Sequence, residues 1–265
     1  MRGKSSSLEE SDIDPTLSEE TWSTTASSVT PDLEESLNTR QRVQPTIPTA
    51  SKHRTLIIFD YDDTILPTSF LSKHGFKLDS TKPVGDVKAA LDEYSLLVNL
   101  TLKEAKKRGH VIIVTNAEAG WIQLTAEKFL PLSCETIHEF QHLSARSIFE
   151  PRGVLTPIAW KESAFRLVVE EYLDAMGASR KSSRLINADL VAYQVISLGD
   201  SAHEREAVLK VCEEFKIISK SLKFMERPDL DALSKQHQLI HECLDDIVKS
   251  RDNLDLCIQT SPNGR

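Results

Sequence analysis

Three aspartates are crowded into four positions at the end of an apolar run. The stretch LIIFDYDDTILPT, residues 56–68, carries Asp60, Asp62 and Asp63 immediately after its apolar start. Carboxylates about 4 Å apart repel by roughly 4 kcal/mol at an effective dielectric of 20, so the crowding would open the site unless a cation joined them. The available ligands are oxygens, which favour a hard ion such as Mg²⁺. A carboxylate bound to that ion can face a phosphate dianion, so the stretch indicates phosphoryl transfer.

Polar side chains also follow two other apolar runs. Thr115 and Asn116 follow VIIV, while Asp200 and Ser201 follow VISL and one glycine. In an open parallel sheet, ligands bind beyond the carboxyl ends of the strands, so the three polar groups should converge there. Each group could instead simply begin a helix, because Asp, Ser, Thr and Asn are favoured capping residues. Three groups with several aspartates favour one shared site.

Short apolar runs alternate with long helical patterns along the chain. The runs cover residues 55–59, 111–114 and 195–198, and helical patterns cover 84–109 and 121–130. Short, fully apolar runs are typical of strands that are buried on both faces of a parallel sheet. We therefore expect an α/β fold of the doubly wound, Rossmann-like type, with helices on both faces of a parallel sheet.

Further elements are predicted towards the end of the chain. Thr156 and Pro157 are typical of a helix start, and residues 161–177 continue with helical spacing. Residues 215–224 contain a predicted last strand, and residues 227–250 a closing helix. We expect an α/β domain over this whole region.

Composition divides the chain into three parts. The first fifty or so residues are rich in Ser, Thr and Glu and cannot bury enough apolar surface to offset their ordering entropy. We expect a disordered tail over residues 1–52, the folded domain over 53–250 and a C-terminal tail over 251–265. The first tail is interpreted as a solvated linker, and the alternative is a segment regulated by phosphorylation.

Charge and cysteine content exclude several classes of protein. The formal net charge of −8 argues against a nucleic-acid or membrane-surface binder. No apolar run approaches the roughly 20 residues needed to cross a bilayer. The four cysteines have no paired spacing, and the chain opens on charged and polar residues. We expect a cytoplasmic protein, with the nucleus as the alternative.

The motifs together resemble the haloacid dehalogenase-like (HAD) superfamily of hydrolases. FDYDDTIL is similar to its first signature, Thr115 in VIIVTN to the second, Lys161 in WKESAF to the third and ISLGDSAHE to the fourth. The four occur in the family's order over residues 54–225. Two positions depart from the common pattern, since Asp63 stands where many members have Gly and Glu204 where many have Asp. An acidic residue at the first position also occurs in the family's phosphoprotein phosphatases.

The resemblance implies a role for each matching residue. Asp60 would attack phosphorus, and Asp62 would act as general acid and then as general base. Thr115, Asn116 and Lys161 would bind the phosphate. The proposed Mg²⁺ ligands are Asp60, the backbone carbonyl of Asp62, and Asp200. Asp63, Thr64, Ser201 and Glu204 would support these ligands, and Glu204 would do so by orienting a metal-bound water.

Two further assignments choose between alternatives. Lys161 has rivals in Lys128 and Lys181, and is preferred because it lies near the start of the helix before the VISL strand. Trp121 and Trp160 flank the second and third motifs, and are interpreted as core residues rather than as platforms for a substrate.

The resemblance also predicts an open site of the capless phosphatase type. Family caps are inserted after the first motif or before the third-motif lysine, and the corresponding segments here, 67–83 and 144–160, are long enough only for a flap and a single loop. An open site favours a phosphoprotein or another bulky phosphorylated substrate. Two alternatives are a catalytically inactive phosphate-binding interaction module and a phosphomutase.

Overall fold

The computed structural model of the protein describes residues 54–178 and 193–258. The predicted disordered tail over residues 1–52 and the rival lysine Lys181 lie outside these ranges, as do residues 259–265. Within the described residues, no helix has both the length and the apolar character that a bilayer-spanning segment requires.

Within the described residues, six parallel strands form one sheet, in the order β3-β2-β1-β4-β5-β6. The three predicted apolar runs become neighbouring strands. Ile58 of β1 pairs with Ile112 of β2 on one side and with Ser197 of β4 on the other. The predicted parallel sheet and its three apolar strands are confirmed. The strands are β1 (Thr55–Phe59), β2 (His110–Thr115), β3 (Gln141–Ser144), β4 (Gln194–Gly199), β5 (Ile218–Lys223) and β6 (Leu254–Cys257).

The described helices connect these strands and cover both faces of the sheet. Alternate residues of β1 point to opposite faces: Ile57 and Phe59 join a core with helices α2, α3, α4 and α8, while Leu56 and Ile58 join a core with α5, α6 and α7. The expected doubly wound α/β architecture is therefore observed. The helices are α1 (Thr68–Lys73), α2 (Gly85–Arg108), α3 (Trp121–Phe129), α4 (Cys134–His138), α5 (Ala145–Phe149), α6 (Pro157–Ala175), α7 (Ala202–Phe215) and α8 (Leu230–Lys249).

Two short edge strands were not predicted. Strand β3 pairs with β2 at one edge of the sheet, and β6 pairs with β5 at the other. Because each has four residues, carries polar side chains and lies at an edge, neither shows the fully apolar run of a central strand. Strand β6 lies in the segment predicted as a C-terminal tail, so the sheet extends beyond residue 250.

The two segments in which a cap could be inserted contain only short elements. Helix α1 occupies part of residues 67–83. Residues 144–160, predicted as a single loop, contain α5, a 3-10 turn over Glu150–Arg152 and the start of α6. Neither of these described segments holds a second domain, in agreement with the predicted absence of a large cap.

Candidate active site

The polar groups predicted to converge lie at the carboxyl edge of the sheet, where the strand order reverses. Asp60 follows β1, Thr115 ends β2, and Asp200 follows β4, the neighbour of β1. The backbone N–H of Asp60 donates to the carbonyl of Leu198 at 2.8 Å, which continues the pairing of β1 with β4 to the first aspartate. This reversal point is the place where open α/β sheets bind their ligands.

Buried ring side chains hold the loop that carries the aspartates. Tyr61 is fully buried, and its hydroxyl lies 2.8 Å from that of a threonine on α3. Tyr94 of α2 donates to the carbonyl of Ile65 at 2.8 Å, and His237 of α8 donates through Nε2 to the carbonyl of Thr64 at 2.7 Å. Burial lowers the pKa of His237 to about 4, so the ring is neutral at pH 7. Three helices therefore fix the loop from beneath.

Lys161 lies against the first aspartate. Helix α6 begins as predicted, with the Thr156 side chain accepting a hydrogen bond from a first-turn N–H and Pro157 at the first helical position. The Lys161 ammonium lies 2.5 Å from Asp60 Oδ1 and 2.9 Å from Glu204 Oε1. Its side chain is 1% exposed. The structure thus brings the preferred lysine to Asp60.

The two carboxylates that contact this lysine lie close to a third. Asp60, Asp200 and Glu204 each offer an oxygen, and these oxygens lie within 4.8 Å of one another. Burial, reinforced by the neighbouring carboxylates, raises the pKa of Asp60 to about 8 even though Lys161 opposes the shift. Burial and the nearby Asp60 and Glu204 raise the pKa of Asp200 to about 9. One ammonium, that of Lys161, therefore does not balance the charge of three ionised carboxylates.

The start of α7 positions Glu204. Ser201 caps this helix, and in return its N–H and hydroxyl both donate to Glu204 Oε2, the N–H at 3.1 Å. A Cβ at Gly199 would lie 2.5 Å from Glu204 Cγ, so only glycine leaves room for this side chain. Burial alone would raise the pKa of Glu204, but Lys161 and Ser201 outweigh it and lower that pKa. Both oxygens of Glu204 are thus engaged by protein groups.

The Asp62 side chain is directed elsewhere. Its Oδ1 accepts hydrogen bonds from Thr68 Oγ1 at 2.8 Å and from Trp121 Nε1 at 2.9 Å, and its Oδ2 accepts one from Thr115 Oγ1 at 3.0 Å. It does not belong to the three-carboxylate group. Asp60 and Asp62 therefore have different neighbours, as two different chemical roles require.

The remaining predicted residues support the loops. Asp63, at a positive φ of 50°, accepts hydrogen bonds from the N–H and hydroxyl of Ser69 at 2.7 and 2.5 Å, which ties the aspartate loop to α1. Thr64, in the same loop, is fully buried. Asn116 donates to the carbonyl of Pro157 at 3.2 Å, so it links the loop after β2 to the start of α6.

Two residues beside the site were missed or interpreted differently. Thr68 was not singled out, although it is the last residue of the stretch LIIFDYDDTILPT and lies two positions after the first signature, FDYDDTIL. Trp121 was interpreted as a core residue, and it is only partly buried, with its indole N–H on Asp62. Trp160 is the buried core residue that was expected, and its N–H donates to the carbonyl of Val154.

Lys128, the rival lysine within the described residues, binds backbone carbonyls away from Asp60. Lys128 donates to the carbonyls of Lys77, Leu78 and Ser80 at 2.5 to 2.9 Å, so it holds the segment between α1 and α2. No contact joins it to Asp60, and within residues 54–178 and 193–258 Lys161 is the lysine that contacts this aspartate.

Comparisons with known proteins add little to this geometry. No protein-family model and no curated protein matches the chain. A solved structure of an uncharacterized protein from Alicyclobacillus acidocaldarius is similar at 12% identity, with 74% of this chain and 96% of that chain covered. Its TM-score is 0.26. A score this low carries no argument, so the function has to be inferred from the site itself.

The arrangement combines three chemical capabilities. A buried carboxylate, Asp60, is paired with an ammonium and can act as a nucleophile towards phosphorus. A second carboxylate, Asp62, lies two positions away and can transfer a proton. The oxygens of Asp60 and Asp200 are hard ligands that suit a divalent cation, and a bound cation would favour the ionised form of both carboxyl groups.

Proposed function

We propose that the protein is a Mg²⁺-dependent phosphatase of the HAD-like superfamily, acting through an aspartyl-phosphate on Asp60. The observation that carries the proposal is the buried contact of Lys161 with Asp60 in a group that also holds Asp200 and Glu204. A lone structural ion pair would not need two further carboxylates, whose crowding destabilises the folded protein. A divalent cation bound between the carboxylates would relieve that crowding and would also let a phosphate approach.

The residues present fit Mg²⁺. Glu204 is occupied by Lys161 and Ser201, which leaves Asp60 and Asp200 as the carboxylate ligands. The backbone carbonyl of Asp62 is the proposed third protein ligand, and water and phosphate oxygens would complete the shell, as is usual for this ion. Bound there, the ion would neutralise charge on the phosphoryl group.

Each protein group has a defined part in the reaction. A carboxylate oxygen of Asp60 attacks phosphorus, the bond to the leaving oxygen breaks, and that oxygen takes a proton from Asp62. Asp62 then removes a proton from water, the new hydroxide attacks phosphorus, and inorganic phosphate leaves Asp60. Thr115, Asn116 and Lys161 are assigned to the phosphate oxygens, where donors stabilise the transferring group.

The proposed substrate class is a phosphoprotein or another bulky phosphorylated molecule. The described segments 67–83 and 144–160 contain only short helices and a turn, so neither encloses a small substrate. An open site selects weakly among small metabolites, because selectivity needs groups that surround the substrate. The two alternatives are an inactive interaction module and a phosphomutase. The presence of both Asp60 and Asp62 argues against the first.

The test measures hydrolysis of 4-nitrophenyl phosphate with Mg²⁺ and with excess EDTA. We expect activity that requires Mg²⁺ and that falls to background in Asp60→Asn. Asp174→Asn, an exposed aspartate on α6, is the matched control and should retain wild-type turnover. If Asp60→Asn hydrolysed the substrate at the wild-type rate, the assignment of Asp60 as the nucleophile would be refuted. A wild-type protein that binds phosphate without hydrolysing any ester would favour the interaction module, and transfer to a second substrate in preference to water would favour the phosphomutase.

A further inference from the structure

The two oxygens of the Asp62 carboxylate are held differently. Oδ1 accepts from two donors, Thr68 Oγ1 at 2.8 Å and Trp121 Nε1 at 2.9 Å. Oδ2 accepts from Thr115 Oγ1 alone among the described residues, at 3.0 Å. An indole N–H can only donate, so the Trp121 contact requires Oδ1 to keep a lone pair directed at it. A proton carried by Asp62 therefore belongs on Oδ2.

The contact on Oδ2 is the one that a phosphate would replace. The Thr115 hydroxyl has a single proton, which it donates to Oδ2, and it also accepts the N–H of Ala117 at 3.0 Å. It cannot donate to Asp62 and to a phosphate oxygen at the same time. When Thr115 turns to the phosphate, Asp62 keeps its two bonds at Oδ1 and frees Oδ2.

We propose that Trp121 and Thr68 are positioning residues that anchor Oδ1 of Asp62, so that Oδ2 delivers the proton to the leaving oxygen. This inference rests on the proposed phosphatase function and deepens it. As Asp60 forms its bond to phosphorus, the electrons of the breaking ester bond pass to the leaving oxygen, which takes the proton from Oδ2. In the second step, the same Oδ2 takes a proton from the attacking water. Neither Trp121 nor Thr68 touches the reacting atoms.

The two residues come from separate parts of the fold. Thr68 begins α1, after the aspartate loop, and Trp121 begins α3, after a glycine with a φ of 90° in the loop that follows β2. Trp121 also packs against the core beneath the site. The orientation of Asp62 thus depends on how α1 and α3 are placed relative to β1.

The test uses the dependence of kcat/KM on the leaving group. This constant reports the steps up to release of the leaving group. Trp121→Phe keeps an aromatic side chain but loses the indole N–H. We expect kcat/KM to fall about 10-fold or more for phenyl and alkyl phosphates, whose leaving oxygens need a proton, and by less than about 3-fold for 4-nitrophenyl phosphate, whose leaving group does not. Thr68→Val should show the same dependence on the leaving group, and it provides the test if Trp121→Phe fails to fold.

Trp160→Phe is the matched control, because it removes an indole N–H that donates to a backbone carbonyl in the core. It should leave the leaving-group dependence unchanged. An equal loss for good and poor leaving groups in both Trp121→Phe and Thr68→Val, or no loss, would overturn the positioning role. If the wild type hydrolyses an ester and Asp60→Asn does not, the phosphatase function is supported whatever the leaving-group dependence of the variants. A wild type that is inactive on every ester would overturn both proposals.

Discussion

Asp60 and Asp62 carry the same functional group two positions apart, yet their surroundings differ. Asp60 is buried against an ammonium and two other carboxylates, while Asp62 is held by two hydroxyls and an indole N–H. A site that uses one carboxylate as nucleophile and another as proton carrier requires such a difference, because one chemical group must meet two demands. The local environment of each residue, rather than its type, separates the roles.

The first prediction compares Asp60→Asn with Asp62→Asn. Both variants should lose turnover, Asp62→Asn by about 10² to 10⁴-fold because a general acid and base is removed. Mg²⁺ affinity, measured by titration calorimetry without substrate, should fall clearly in Asp60→Asn and by no more than about 2-fold in Asp62→Asn, whose side chain is outside the carboxylate group. An equal loss of affinity in the two variants would contradict this division.

Helices α2 and α8 contribute to the site by supporting the loop after β1. The ring of His237 lies between those of Tyr94 and Phe224, with edge contacts at 5.6 and 5.8 Å, and its Nε2 holds the carbonyl of Thr64. Burial keeps water away from the ring, which disfavours its protonated form and lowers the pKa of His237. The pH dependence of stability follows from this placement.

The second prediction is that His237 makes the fold less stable in acid. Its pKa is about 4 when folded and about 6.5 when unfolded, so between these values the unfolded chain binds more protons. The free energy of unfolding should therefore be unaffected by this group above pH 6.5 and should fall by about 3 kcal/mol as pH drops to 4.

His237→Gln is the variant for this measurement, because its amide can still donate to the Thr64 carbonyl but does not titrate in this range. Urea unfolding of both proteins at several pH values isolates the contribution of the ring as a difference. If the difference between wild type and variant does not change between pH 7 and pH 4, the ring is not buried and neutral as described.

Strand β6 belongs to the sheet although its sequence is polar. It pairs with β5, Arg205 of α7 forms an ion pair with Asp255, and the N–H of Ile258 donates to the carbonyl of Lys223 at 2.7 Å. Ile258 is buried in the core beneath the sheet. The strand therefore adds backbone pairing, and the residue that follows it adds apolar burial, at this edge of the domain.

The third prediction is that deleting residues 251–265 destabilises the protein. The truncation removes β6 and the buried Ile258, and it leaves β5 as an unpaired edge. A loss of about 2 kcal/mol or more would lower the melting temperature by roughly 4 to 8 °C. Deleting only residues 259–265 is the control, which keeps β6. Equal melting temperatures for the two truncations would mean that β6 contributes nothing.

At the scale of the whole molecule, no separate domain within the described residues covers the site at the carboxyl edge of the sheet. The segments that follow the first motif and precede Lys161 hold only short helices, so access is limited by loops. A substrate that brings its own surface can contribute binding energy outside the pocket, and that energy can be used in the transition state. A phosphorylated segment of another protein fits this description.

The fourth prediction compares kcat/KM for phosphopeptides and phosphoproteins with that for sugar and nucleotide phosphates. We expect the macromolecular substrates to be preferred by about 10-fold or more, because their contacts extend beyond the phosphate. Asp60→Asn, measured in parallel, shows which turnover belongs to this site. Strong preference for one small metabolite, with no turnover of any phosphopeptide, would defeat the expectation while leaving the phosphatase function intact.

The sequence by itself determined the central elements and the residues at their ends. The runs of β1, β2 and β4 are apolar along their whole length because both faces of these strands are buried, and this property is visible in composition alone. Asp60, Thr115 and Asp200 follow or end those runs, and parallel strands bring their carboxyl ends to one edge. The edge strands β3 and β6 were missed because a strand exposed on one side can keep polar residues.

Only the tertiary structure decided which side chains meet at that edge. Lys161 and Asp60 are 101 positions apart in the chain, and the contact of Trp121 with Asp62 spans 59. Local pattern carries no information about such pairs, since they depend on how α6 and α3 are placed on the sheet. The same packing brought Glu204 to Lys161 and gave Asp62 two donors at Oδ1 and one described donor at Oδ2, because Lys161, Thr68, Trp121 and Thr115 belong to other elements.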